Sequence, residues 1–221
     1  MKKAIIFGTG IFAETISFYL DNENDIQICG YTVDSKFRGS NEYMGLPFVD
    51  FESAEDVFPP EEYGIYICVG YTNMNIVRER IFRTAQSKGY EILSYFHPSA
   101  VINSKVIGQG NIILDNVTFG PFSEIGSGNI FYPNTNIAHH VTIGNFNYFS
   151  AAVSVAGCCC IGSNSFFGIN STIKDRISVA DKTFIGAACY INRNTAPGEV
   201  YAASFAKRLD KFDSMQISRF I

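Results

Sequence analysis

Residues 141–173 read VTIGNFNYFSAAVSVAGCCCIGSNSFFGINSTI, and every sixth residue of this stretch, starting at Ile143, is Ile, Val or Phe. The same spacing continues in both directions, from Val101 to Ile191, so that sixteen successive positions carry one of these three residue types. A period of six matches neither the 3.6-residue period of a helix nor the two-residue period of a strand. The pattern indicates a small structural unit that is repeated along the chain.

A hexapeptide repeat of this kind predicts a parallel β-helix. Each hexapeptide forms a short strand and a turn, and three hexapeptides close one triangular coil of 18 residues, with the sixth-residue side chain pointing inward. Small residues often follow the inward residue, as Gly144, Gly162 and Gly168 do, and they allow a tight corner. One coil cannot bury its own inner face, so we expect about five coils stacked at about 4.8 Å over residues 97–194.

Residues 1–96 have a different pattern, in which apolar strand segments alternate with amphipathic helical segments. KAIIFG, IQICGYTVD, YGIYICVG and YEILSYF are strand-like, whereas IFAETISFYLDN and NMNIVRERIFRTAQSKG have helical spacing. Alternation of this kind predicts a parallel sheet covered by helices. The expected fold is therefore α/β plus all-β, with a small Rossmann-like domain at 1–96, the β-helix at 97–194 and a tail at 195–221.

The composition argues against several classes of protein. The 221 residues carry a net charge of −4, and they contain neither a basic block for nucleic acid nor an apolar run long enough to span a membrane. The opening MKKAIIFGTG does not have the form of a signal peptide, so we expect a cytoplasmic protein with six free, mostly buried cysteines. The three histidines fit no metal-ligand spacing, and we expect no metal.

The segment FGTGIF, residues 7–12, follows a predicted strand and opens a predicted helix. Gly8 and Gly10 permit a tight turn, and a helix N-terminus attracts anionic phosphate. Asp34 ends the second strand, where an acid that binds ribose often lies. The third glycine of a dinucleotide fingerprint is missing, so this loop alone does not specify a dinucleotide.

Two of the three histidines, His139 and His140, are adjacent in the repeat that starts at Ile137. They occupy its third and fourth places, near a corner and away from the inward position. Such a pair is either an exposed turn or a site where an imidazole accepts a proton near neutral pH.

The chain resembles the hexapeptide-repeat sugar acyltransferases, in particular the group that contains sialic-acid O-acetyltransferases and nucleotide-amino-sugar N-acetyltransferases. The segments that carry the resemblance are IIFGTGIFAE, YTVD, CVG, NIAHHVTIG, FFGINSTIKDRISVADKTFIGAACYINRN and APGEVYAASFAKR. The resemblance implies a left-handed β-helix and a homotrimer with active sites between neighbouring β-helices. Outward aromatic residues such as Phe146, Tyr148 and Phe166 are expected to be covered in that trimer.

The family places its catalytic histidine in the pattern I-x-H-[DE]-x-x-I-G, and IAHHVTIG matches it with His139 as the general base. His140 stands where the family has Asp or Glu, and it is expected to be the partner of His139. The resemblance also implies contacts with a nucleotide sugar and with coenzyme A. The nucleotide-sugar contacts are Gly8, Thr9, Gly10, Ile11, Phe12, Asp34, Val69 and Gly70. The coenzyme contacts are Tyr148, Ile169 and Ala187.

The resemblance implies an acetyl-CoA-dependent N-acetyltransferase that acts on a nucleotide-linked amino sugar for surface glycan synthesis. Two alternatives stay open. One is a sugar O-acetyltransferase of the sialic-acid type, and the other is a non-catalytic protein that binds sugar nucleotides on the same scaffold. The acyl chain length, the sugar and the nucleotide base are not specified by the sequence.

Overall fold

The computed structural model describes residues 1–22 and 25–208. Its first part is a six-stranded sheet with two α-helices. The elements are, in chain order, β1 (Lys2–Phe7), α1 (Ile11–Asp21), β2 (Ile26–Val33), β3 (Glu42–Tyr43), β4 (Leu46–Asp50), β5 (Tyr63–Ile67), α2 (Ile76–Ser87) and β6 (Glu91–Ile92). Short 3₁₀ helices cover Ser35–Phe37 and Phe51–Asp56.

The strand order of this sheet is β3-β4-β2-β1-β5-β6, and every pairing is parallel except that of β3 with β4. This is the predicted Rossmann-like arrangement, in which the carboxyl ends of β1, β2 and β5 open at the same edge. β1 is central, and Ala4, Ile5 and Ile6 are fully buried. Neither helix has the length and hydrophobicity needed to cross a bilayer, among the residues that are described.

The second part is a three-sided parallel β-helix of two-residue strands, as predicted. The first face contains β7 (Tyr95–Phe96), β10 (Ile112–Ile113), β13 (Ile130–Phe131), β16 (Tyr148–Phe149), β19 (Phe166–Phe167), β22 (Phe184–Ile185) and β24 (Val200–Tyr201). The second face contains β8 (Val101–Ile102), β11 (Thr118–Phe119), β14 (Asn136–Ile137), β17 (Ser154–Val155), β20 (Thr172–Ile173) and β23 (Tyr190–Ile191). The third face contains β9 (Val106–Ile107), β12 (Glu124–Ile125), β15 (Thr142–Ile143), β18 (Cys160–Ile161) and β21 (Ser178–Val179).

The inward side chains form the core of the prism. Phe131, Phe149 and Phe167 stack on one another with ring centroids 4.7 and 4.4 Å apart and planes within 8°. Each of the predicted inward positions from Ile113 to Ile191 is buried. The solenoid begins at Tyr95 and its last strand ends at Tyr201, slightly outside the predicted limits 97–194.

The first coil differs from the prediction. Val101 is 52% exposed, and Ile102 pairs with Phe119 in the inward register. Ile107 returns to the expected phase by pairing with Ile125. The corner between Ile102 and Ile107 is therefore one residue shorter than the others, and the sixfold phase slips there.

A buried polar ladder lies beside the apolar core, and the sequence pattern did not reveal it. Asn111, Asn129 and Asn147 lie one coil apart and are fully buried. The backbone N–H of Asn129 donates to Asn111 Oδ1, and that of Asn147 donates to Asn129 Oδ1, both at 2.8 Å. Each bond satisfies a buried polar group that would otherwise be costly, and it fixes the vertical register of the coils.

The contacts that join the two parts of the chain include one buried arginine. Arg78, on α2, is 1% exposed and donates to the carbonyl oxygens of Gly128 and Asn147 in the β-helix, at 2.9 and 3.0 Å. Its remaining N–H groups donate to the carbonyls of Val69 and Gly70, at 3.2 and 2.8 Å. Since four carbonyls share the desolvated guanidinium, the contact holds the loop after β5 at a fixed position against the prism.

Replacement of the central ring of the stack, Phe149→Ala, should lower the free energy of unfolding by about 3–5 kcal/mol, because a cavity replaces a fully buried ring. Urea denaturation followed by circular dichroism measures the change. Phe205→Ala is the matched control, since Phe205 is 97% exposed, and it should change stability by less than about 0.5 kcal/mol. Equal losses in the two variants would contradict the stacked core.

Candidate functional site

The eight residues predicted to contact a nucleotide sugar line one cavity of about 820 Å³, at the carboxyl ends of β1, β2 and β5. They are Gly8, Thr9, Gly10, Ile11, Phe12, Asp34, Val69 and Gly70. The volume is within the range of cavities that hold small molecules. The structure therefore brings these residues together, although their role as ligand contacts stays a prediction.

The loop between β1 and α1 forms one wall of the cavity. Gly8 has φ +127°, and a Cβ there would lie 2.6 Å from the carbonyl oxygen of Cys68, so only glycine fits. Gly10 is the N-cap of α1, has open space around it, and has no side chain to accept a hydrogen bond from the first turn of the helix. The first N–H groups of α1 therefore point to a region suited to an anionic group.

The opposite wall contains charged groups that the sequence analysis only partly identified. The carboxylate of Asp34 accepts hydrogen bonds from Arg80 of α2, with an Nη2–Oδ2 distance of 2.6 Å. Arg80 was not predicted, because it is one of several charged residues in an amphipathic helix. A ribose hydroxyl would therefore have to share Asp34 with this arginine. Burial raises the pKa of the Cys68 thiol, which keeps this cavity-lining group neutral.

The histidine pair lies on the corner between the second and third faces, which we call the histidine edge. The residues at its apex have left-handed backbone conformations and repeat once per coil, namely Phe122, His140, Cys158 and Arg176. His139 precedes the apex, and its Nδ1 atom lies 3.0 Å from Nδ1 of His140. Both side chains are exposed.

Neighbouring coils orient the two imidazoles. The ring of Phe122, one coil earlier, packs on His140 with centroids 4.8 Å apart. The ring of His139 leans over Gly157 in the next coil, where a Cβ would lie 2.6 Å from Cε1 of the histidine. Gly157 therefore makes room for His139, a role that sequence spacing alone did not suggest.

Two neutral imidazoles in this contact must share one proton between their Nδ1 atoms, because one nitrogen donates and the other accepts. When His139 is the donor, its Nε2 atom is unprotonated and is available as a proton acceptor. His140 then accepts the hydrogen bond from His139 Nδ1–H. In the family pattern this position is Asp or Glu, whereas a neutral imidazole supplies no negative charge.

The predicted coenzyme contacts fall into two groups. Ile169 and Ala187 lie on the corner between the first and second faces, which we call the isoleucine edge. Both residues are exposed, and the N–H of Ala188 donates to the carbonyl of Ile169 at 2.9 Å, so this edge stacks one coil on the next as expected.

Tyr148 is not on an open groove, contrary to the prediction. It is 7% exposed, on the first face, and it packs against Tyr71 of the same chain with centroids 5.1 Å apart. Phe166 also packs on Tyr71, and Phe146 packs on Phe82 of α2. The N-terminal domain of the same chain, rather than a second copy, covers these three aromatic residues.

The third histidine, His97, and the six cysteines were not among the predicted site residues. His97 lies at the domain junction, where its Nε2 is 3.3 Å from Asp115 and its ring packs edge-on against Tyr19. The hydrogen bond that Tyr19 donates to Asp115 is the main cause that raises the pKa of Tyr19 to about 12. All six cysteines are free, but only Cys68, Cys159 and Cys189 are fully buried.

Three parts of the predicted site are separated within one chain. The described structure places the cavity on the N-terminal domain, the histidine pair on one edge of the prism and Ile169 with Ala187 on another edge. The third edge, at Gly128 and Phe146, is covered by α2. His139 does not line the cavity, so the predicted site residues do not meet in one pocket of the described chain.

Comparison with known proteins supports the fold. The acetyltransferase domain of PglB from Neisseria gonorrhoeae is 22% identical, with a TM-score of 0.77 over 95% of this chain and 100% of that one. A variant of perosamine N-acetyltransferase from Caulobacter crescentus, solved with CoA and GDP-perosamine, is 20% identical, with a TM-score of 0.79 over 90% of this chain and 93% of that one.

WeeI from Acinetobacter baumannii is 18% identical, with a TM-score of 0.62, over 90% of this chain and 88% of that one. No family model matches the sequence, and no curated protein does. The solved structures share the left-handed β-helix with a small N-terminal domain, which confirms the predicted fold. At these identities the likeness concerns the fold alone.

The variant Gly157→Ala should displace the ring of His139 and break its Nδ1 contact with His140, because the new Cβ would overlap Cε1. Nitrogen-15 NMR of the imidazoles measures the change in the Nδ1 resonances of the pair. Gly39→Ala is the control, since nothing lies near its Cβ position. Unchanged Nδ1 resonances in Gly157→Ala would show that His139 does not lie over this glycine.

Proposed function

We propose that this protein is an acetyl-CoA-dependent N-acetyltransferase that acts on the amino group of a nucleotide-linked amino sugar, in the cytoplasm, for surface glycan synthesis. The observation that carries the proposal is the exposed His139, whose Nδ1 atom is held 3.0 Å from that of His140 on the edge of a β-helix. The perosamine N-acetyltransferase with this fold was solved with CoA and GDP-perosamine, which supports both ligand classes.

The imidazole of His139 is suited to the proton transfer that this reaction needs. The sugar amine attacks the carbonyl carbon of the thioester, and His139 Nε2 accepts the proton that the nitrogen loses. The tetrahedral intermediate then breaks its carbon–sulfur bond, which leaves the amide, and the departing thiolate of CoA takes the proton back from His139, which regenerates the neutral imidazole. His140 accepts from His139 Nδ1–H throughout, so the imidazolium that forms keeps its orientation.

The cavity of the N-terminal domain suits the nucleotide sugar. An N-terminal turn of α1 without a side-chain cap is suited to a diphosphate, and Gly10 leaves room for it. Lys36 and Arg80 line the same cavity and offer cationic groups to a phosphate, while Asp34 and Glu52 line it with an equal number of carboxylates. The acyl donor in this proposal lies along the isoleucine edge, where small residues such as Gly168 and Ala187 permit a close approach.

We infer that a homotrimer completes the site. The histidine edge and the isoleucine edge are different corners of one prism, and a groove between two chains brings one of each together. Exposed apolar side chains on both edges support this arrangement, because Phe122 is 73% exposed and Ile169 is 50% exposed. The third edge is already covered by α2 of its own chain.

Incubation of the protein with acetyl-CoA and a panel of UDP-, GDP- and dTDP-linked sugars tests the proposed activity. An amino sugar should release free CoA thiol and gain the mass of one acetyl group. Acetylation of hydroxy-sugars alone would favour the O-acetyltransferase. Binding of a sugar nucleotide without any acetyl transfer would favour the non-catalytic alternative.

His139→Ala should lower kcat by roughly 10²-fold or more, because it removes the imidazole that is assigned as the acceptor of the amine proton. The measurement is steady-state acetyl transfer on the best acceptor of the panel, with the melting temperature and oligomeric state as controls for folding. Thr142→Ala, an exposed position at the start of β15, should retain activity.

His140→Asp is the informative companion variant. Aspartate tolerates the left-handed conformation of this apex position, where φ is 55°. Its carboxylate would accept from His139 Nδ1–H and stabilise the imidazolium, so kcat should equal or exceed that of the natural chain with little change in KM.

A folded His139→Ala protein with near-normal turnover would contradict the assignment of His139 as the base.

A further inference from the structure

The histidine edge carries a third metal-binding side chain in addition to the two imidazoles. Cys158 occupies the apex position one coil after His140. One ligand atom from each of His139, His140 and Cys158 lies within 4.8 Å of the other two, and all three side chains are exposed. We propose that these residues form a binding site for a thiophilic divalent metal such as Zn²⁺, and that the bound metal removes His139 from acid–base chemistry.

The ligand types and distances fit this class of metal. Imidazole nitrogen and thiolate sulfur are the ligands that Zn²⁺ prefers, with bonds of about 2.0–2.1 and 2.3 Å. Tetrahedral angles between such bonds separate the ligand atoms by about 3.3–3.6 Å. The Nδ1 atoms of His139 and His140 are 3.0 Å apart, and the whole set spans at most 4.8 Å, so small side-chain rotations suffice.

The backbone already holds the three ligands in place. The N–H of Cys158 donates to the carbonyl oxygen of His139 at 3.0 Å, which fixes the two coils against each other. Gly157 lets the ring of His139 lean toward Cys158, and the ring of Phe122 packs on His140. A site that is preorganised in this way loses little conformational entropy when the metal binds.

The surrounding charges do not oppose a cation strongly. Arg176 lies one coil beyond Cys158 on the same edge, and its guanidinium is 3.5 Å from the carboxylate of Asp175. Both residues line a depression of about 160 Å³ together with His139, Gly157 and Cys158. Three protein ligands leave a fourth coordination position open to this depression, where water would bind.

Metal binding and acetyl transfer exclude each other in this arrangement. A metal bound to an imidazole nitrogen occupies the lone pair or withdraws electron density from the ring, so His139 no longer accepts the amine proton. The metal also displaces the proton of the Cys158 thiol, which is released to solvent. The inhibition rests on the proposed function, whereas the metal site itself rests only on the three side chains.

Cobalt titration of the full chain tests the metal site without any activity assay. One equivalent of Co²⁺ per chain should produce a thiolate-to-cobalt charge-transfer band together with visible ligand-field bands. Cys158→Ala should lose the charge-transfer band and bind at least about tenfold more weakly, since one of three ligands is gone. Alanine fits a left-handed apex of this prism, because Ala152 and Ala188 occupy the corresponding apex positions on the isoleucine edge.

Cys160→Ala is the matched control, since Cys160 is also exposed and lies two residues away on β18. It should keep both the band and the affinity. The proposal is overturned if the natural chain shows no thiolate band with cobalt in molar excess, or if the band survives in Cys158→Ala.

Zinc inhibition of acetyl transfer tests the functional part, with the acetylated sugar measured by mass because free CoA thiol also binds zinc. Stoichiometric Zn²⁺ should inhibit the natural chain and Cys160→Ala, a chelator should restore both, and Cys158→Ala should need at least about tenfold more zinc. Equal zinc sensitivity in Cys158→Ala would overturn the inhibition. Absence of acetyl transfer before zinc is added would instead refute the proposed function, and the cobalt spectra would still decide the metal site.

Discussion

The inward stack of apolar side chains is the constraint on which the rest of the structure depends. A single coil of 18 residues exposes its inner face, so burial is achieved only when Phe131, Phe149 and Phe167 lie directly above one another. This requirement fixes the register of every coil. Residues 18 apart therefore share a face or an edge, which is how His140 and Cys158 occupy successive apices of one edge.

The N-terminal domain decides which parts of the prism are available for chemistry. Arg78 connects α2 to the carbonyls of Gly128 and Asn147. Phe82 and Tyr71 of the same domain cover aromatic residues on the third edge and the first face. Two edges are left exposed, and they carry the histidine pair and Ile169. The same arginine binds the carbonyls of Val69 and Gly70, which line the cavity of the N-terminal domain, so one side chain contacts both the prism and the cavity wall.

The sequence pattern was sufficient for the stacked β-helix, because apolar residues at a fixed spacing of six allow few other structures, whereas its left-handedness was implied only by the family resemblance. The predicted inward position of Val101 was wrong. The next corner is one residue shorter than the others, so Ile102 points inward instead, and no residue type in the sequence marks this shorter corner. The prediction also failed at Tyr148, because an outward aromatic residue looks the same whether its own domain or another chain covers it. The proximity of Cys158 and Gly157 to His139 could be recognised only from the register of the coils, which the structure gives. The burial of Arg78 could have been predicted, because the sequence places its charge on the apolar side of α2 beside Ile81 and Ala85.

The central claim is that His139, on the edge of one β-helix, meets an amino sugar and a coenzyme thioester in a groove shared with a second chain. A crystal structure with CoA and a nucleotide-linked amino sugar tests it most directly. The account predicts the sugar nitrogen within hydrogen-bond distance of His139 Nε2, and the pantetheine along Ile169 and Ala187 of a neighbouring chain. A structure in which His139 faces bulk solvent while both ligands are bound elsewhere would contradict it.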